Sequence, residues 1–71
     1  MTLYQCKAVL ARQHILTAQS VIQITPNVAA TLDAESLSKW KDTLQRNAQR
    51  DLLESLPDGK VFFSLWEEKE E

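Results

Sequence analysis

MTLYQCKAVLARQHILTAQSVIQIT, residues 1–25, decides the fold, because it reads either as one long helix or as two strands. It contains no Gly, Pro, Asn or Asp, the residues that build tight turns. Its Ala, Leu, Gln, Lys and Arg content favours helix. Tyr4, Ala8, Ala11, Ile15, Ala18 and Ile22 recur in steps of four and three, a helical seam. Leu3, Leu10 and Ile24 lie off it, so such a helix would need cover on more than one side. Against this, Tyr4, Cys6, Ala8 and Leu10 alternate with Gln5, Lys7 and Val9, and Val21–Thr25 is alternating and β-branched. The missing turn residues weigh the choice toward helix.

Outward from this stretch, Thr25-Pro26-Asn27 is the first punctuation, since Pro26 pushes Thr25 out of helical geometry and can itself begin a helical turn. The span 33–56, DAESLSKWKDTLQRNAQRDLLESL, then reads as a helix. Asp33 is its N-cap, with Leu32 and Leu37 placed for a hydrophobic staple and Glu35 in the first turn, where the helix dipole favours an acid. Leu37, Trp40, Leu44, Ala48 and Leu52 form one apolar stripe, with Trp40 expected to anchor the core. Glu35–Lys39 and Asp42–Arg46 are opposite charges four residues apart. Pro57 ends the helix.

Pro57-Asp58-Gly59 is a turn, with Gly59 suited to positive φ. Residues 61–66, VFFSLW, follow and carry three of the five aromatics. As a helix they present Val61, Phe62, Leu65 and Trp66 on one face. As a strand both faces are apolar, and a lone strand leaves its backbone without partners. The strand reading therefore depends on strands in residues 1–25. The preferred fold is an all-α small helical bundle: a long N-terminal helix, a central helix 33–56 and a short C-terminal helix. The alternative is α+β, with one helix on a small antiparallel sheet.

The 71 residues allow a single small domain, 1–71, whose core is marginal by size. Residues 67–71, EEKEE, hold four acids and one base and read as an acidic tail, so residues 1–66 carry net +1 within a total of −2. The one cysteine, Cys6, excludes an internal disulfide and suits a reducing compartment; it reads as a small core hydrophobe rather than a nucleophile. His14, the one histidine, reads as a surface or boundary residue and leaves no basis for a zinc site. Tyr4 reads as core with its hydroxyl at the edge. No cofactor loop is present, since the chain has one glycine. No stretch approaches the length of a membrane span, and no secretory pattern opens the chain, so a cytoplasmic protein is expected.

No paired nucleophile and base, and no metal-ligand set, can be assembled, so no enzymatic activity is expected. In its small size, single domain and lack of catalytic chemistry the chain resembles accessory proteins of bacteria and their phages, which often bind and modulate a larger host protein. The expected function is a non-enzymatic protein-binding module, a regulator or inhibitor, with a homodimer as one arrangement. Surplus apolar surface from Phe62, Phe63 and Trp66 is the candidate contact. The alternative is a small dimeric nucleic-acid-binding regulator using the basic line Lys39, Arg46 and Arg50. The mixed charge of that helix face and the acidic balance of the chain weigh against it.

Overall fold

A computed structural model describes residues 1–70. The order of elements is β1 (Thr2–Arg12), β2 (Ile15–Ile24), α1 (Pro26–Ala29), α2 (Ala34–Ser55), β3 (Lys60–Phe63) and β4 (Glu67–Glu70). All pairings are antiparallel: β2 lies along one edge of β1, and β3 and β4 lie end to end along the other. The chain is 41% strand and 37% helix. It is therefore α+β, and the all-α bundle is wrong at both ends, since residues 1–25 and 61–66 hold strands rather than helices.

The physical reason lies in two residues. Gln13 and His14 close the β1–β2 hairpin with φ of 50° and 67°, the two positive values that a two-residue type I′ turn needs. Arg12 pairs with Ile15 directly across it. Left-handed backbone is costly for residues with a Cβ, about 1–2 kcal/mol each, which is why Asn-Gly is the usual sequence here. The strands on either side outweigh that cost. Alternation then places Cys6, Ala8, Leu10, Ile22 and Ile24 on one buried face, which a single helix would have scattered around its circumference. We expect the double substitution Gln13→Asn, His14→Gly to raise the unfolding free energy by about 1–2 kcal/mol, read from the midpoint of a urea titration; a loss of stability would exclude this turn.

The second strand-side surprise is a break in the edge formed by β3 and β4. Ala8 faces Phe63, but Gln5 faces Glu67, so one extra residue sits between the two pairings. The irregularity is pinned at Ser64. Its N–H donates to the Lys7 carbonyl (2.9 Å), and its hydroxyl accepts from the Lys7 N–H (2.9 Å). The Cys6 thiol donates to the Ser64 carbonyl (3.2 Å). In a regular strand Phe63 and Trp66 would point to opposite faces. The inserted residue brings both onto the core, where they pack on the cluster of Cys6, Ala8 and Ile22. Leu65 is turned outward and is 89% exposed.

Helix α2 matches the expected span closely, with Asp33 as N-cap accepting the Ser36 N–H (2.8 Å). Pro26 opens α1 as its first residue. Leu44, Ala48 and Leu52 pack on the sheet. Trp40 does not anchor the core: it is 43% exposed. It stands at the margin of the apolar arc, about 100° around the helix from Lys41, which is half-buried and takes the place expected for the indole. Every fully buried side chain comes from β1 or β2, and none from α2. Residues 67–70, expected to be a solvated tail, keep exposed side chains but are paired through their backbone to Thr2–Gln5; Glu71 lies outside the described residues.

Both N-cap and strand pairing lean on acids. The Asp33 carboxyl is held below its ordinary 3.8, chiefly by the hydrogen bond from the Ser36 backbone N–H. Glu70 is lowered from 4.5, chiefly by the Thr2 hydroxyl, which donates at 2.9 Å, and then by the terminal amine. Groups lowered on folding contribute stability that is complete above their unfolded values and is lost as the pH falls through the folded ones. The thermal midpoint should thus be flat above pH 5 and fall below about pH 4. Asp33→Asn, which keeps a capping oxygen, should remove part of that acid slope, as melts across pH 2.5–7 would record.

Candidate functional site: the open sheet face

Alternation along the strands gives the sheet a second face, away from α2. By register it carries Leu3, Gln5, Lys7, Val9 and Ala11 from β1, of which Leu3 at the β4 end is buried, with Gln19, Val21 and Gln23 from β2 beside them. Lys60 and Phe62 from β3, and Glu67 and Lys69 from β4, complete it. Helix α2 packs on the opposite face through Leu44, Ala48 and Leu52. At its centre Val9 pairs with Phe62, and Lys7 with Val21. Phe62 is 57% exposed and Val21 47%. Large apolar side chains grouped on an open face are the informative kind of exposure, in contrast to scattered single residues.

The charges around this centre are mostly positive. Lys69 approaches Glu67 (3.9 Å), while Lys7 and Lys60 form no ion pair among the described residues. Toward the hairpin end the face runs into a groove of about 300 Å³ lined by Arg12, His14, Asp58, Lys60 and Phe62. Its one carboxylate, Asp58, holds the Arg12 guanidinium at 3.2 Å. Among the described residues no group of three or more His, Cys, Asp or Glu side chains gathers as a metal site, and no helix is long and apolar enough to cross a membrane.

The three aromatics expected to act together are divided by the sheet. Phe62 is on the open face, while Phe63 and Trp66 are half-buried against the core. The basic line on α2 is exposed, but each member faces an acid: Lys39 with Glu35 (3.4 Å), Arg46 with Asp42 (3.0 Å), and Arg50 with Asp51 (3.9 Å). Exposed pairs of this kind hold little energy but leave no row of unopposed cations. Cys6 is buried and takes part in holding Ser64, with Gln45 donating to its sulfur at 3.5 Å.

Sequence reasoning missed a contact between the helix and the sheet. The Lys41 ammonium lies 4.5 Å from the centre of the Tyr4 ring and 5.6 Å from that of Trp66. Its charge meets two ring faces. No spacing in the sequence links Lys41 to Tyr4 or Trp66. Lys41→Gln is expected to cost about 1 kcal/mol, and a double-mutant cycle with Tyr4→Leu should return a coupling of about 0.5–1 kcal/mol; zero coupling would mean that the cation adds nothing. A scan against protein-family models and searches of curated proteins and of solved structures found no match to the chain.

Proposed function

We propose that this chain is a non-enzymatic protein-binding module, a regulator or inhibitor of a larger protein, that docks through its open sheet face. The observation that carries the reading is Phe62, exposed on β3 beside Val9 of the central strand. Burying such a ring contributes about 1.5–3 kcal/mol, enough to make it an energetic centre in the way aromatic anchors often are. Lys7 and Lys60 around it fit a partner whose apolar patch is bordered by carboxylates, and they set orientation more than affinity.

The test uses the whole chain and its Phe62→Asp variant as baits, followed by titration of the recovered protein in purified form. Tight binding by the wild type and at least tenfold weaker binding by Phe62→Asp, with both melting alike, supports the reading. Equal affinity overturns it. A gel-shift titration with RNA or DNA covers the nucleic-acid alternative: retention that weakens steeply with salt and is lost on replacing Lys39, Arg46 and Arg50 would put nucleic acid in place of protein.

A further inference from the structure

The two edges of the sheet are not alike. The edge made by β3 and β4 is short, broken at Ser64–Trp66, and ends in Glu67, Glu68, Lys69 and Glu70. Breaks and charges are the usual protection of a strand edge. The edge made by β2 has neither over most of its length. Ile15–Ile24, ILTAQSVIQI, contains no charged residue and no proline, and no strand of the described residues pairs with its outer side. Its one irregularity is at Thr17: Leu10 faces Ala18 but Ala11 faces Leu16. From Ala18 to Ile24 the strand is regular.

We infer that β2 pairs with β2 of a second copy of this chain, antiparallel and about a two-fold axis, to give one continuous sheet. The regular stretch is Ala18–Ile24 and its midpoint is Val21, so full pairing puts Val21 on the axis. Gln19 of one copy then faces Gln23 of the other, Ser20 faces Ile22, and Ala18 faces Ile24. The pattern is complementary to itself. Two Val21 side chains meet on the open face, and two Gln19–Gln23 pairs flank them, where amides can donate and accept in both directions. No like charges oppose one another in this register. Each chain has one such edge, so the contact closes at two copies and does not propagate. The inference does not rest on the partner-binding role of Phe62, which lies on β3 at the other side of the sheet.

Sedimentation of the purified chain alone, from about 1 µM to about 500 µM, is the first test. The expected result is a shift with concentration from the 8.1 kDa protomer to twice that mass. Gln19→Lys with Gln23→Lys places lysine against lysine in both flanking pairs and should raise the dimer dissociation constant at least tenfold. Gln19→Lys with Gln23→Glu places opposite charges there and should restore dimerisation. Protomer mass at every concentration, species larger than dimers, or equal behaviour of the two double variants would overturn the pairing. Should the double-lysine chain fail to fold, Val21→Cys decides: on the two-fold axis it should form an intermolecular disulfide with oxidised glutathione, whereas Gln23→Cys should not. Failure of Val21→Cys to cross-link above the dimer concentration would remove the two-fold axis. Because these measurements use no partner, their outcome is separate from that of the Phe62→Asp binding test.

Discussion

Leu10→Ala should remove roughly 3 kcal/mol of stability, the typical cost of emptying a fully buried leucine site. For a chain of this size the whole unfolding free energy is about 4–10 kcal/mol, so the variant should lose roughly a third or more of its stability. Leu10 is 1% exposed at the centre of the sheet, paired on one side with Ala18 and on the other with Val61. Its neighbours are fixed by strand pairing and cannot collapse into the space it leaves. Leu44→Ala, on the half-buried side of α2, should cost only about 1 kcal/mol. Urea titrations of the two variants measure the difference. A larger loss at Leu44 would show that the helix, rather than the β1–β2 hairpin, holds the centre of the core.

Gly59→Ala is expected to cost about 1–3 kcal/mol through overpacking. Gly59 does not have positive φ, so the turn does not need its conformational freedom as the Pro57-Asp58-Gly59 pattern suggests. It needs the space. A Cβ there would stand 2.7 Å from Leu10 Cδ1, 3.2 Å from Leu56 Cδ2 and 3.3 Å from the Ala11 carbonyl oxygen. The Leu10 atom belongs to a buried side chain with nowhere to swing, and the carbonyl belongs to β1. Asn, which tolerates left-handed backbone, should be no better than Ala at this position; a neutral Gly59→Asn would refute the steric account. The two sites are coupled as well. In a Leu10→Ala background, Gly59→Ala should cost clearly less, because its Cβ would enter the vacated volume.

The parts of the fold legible in the sequence were those governed by local chemistry. Asp33 as cap, Pro57 as terminator and the Glu35–Lys39 and Asp42–Arg46 pairs depend on residues within a few positions of one another, and each is where its spacing places it. The hairpin was not legible, because its turn uses Gln13 and His14 in a conformation that neither residue advertises. The alternation of Cys6, Ala8 and Leu10 was visible, but its meaning depended on partners beyond residue 59. The candidate surface was half legible. Phe62 stood out as surplus apolar area, and alternation alone separates it from Phe63, but separating it from Trp66, four residues on, required the extra residue at the strand break. That feature is held by Ser64 and Cys6, two residues with no pattern linking them in the sequence.

The layout of β1 has a kinetic corollary. Apart from β2, this strand finds its companions far along the chain, out to Glu70, which accepts from Thr2 across 68 positions. A solitary helix of the length of α2 relaxes in about a microsecond, but the sheet it rests on is complete only when β3 and β4, beyond residue 59, have paired with β1 at the start of the chain. Refolding should accordingly run at the pace of non-local β topologies, in milliseconds or longer, with helical signal arriving together with the sheet and not ahead of it.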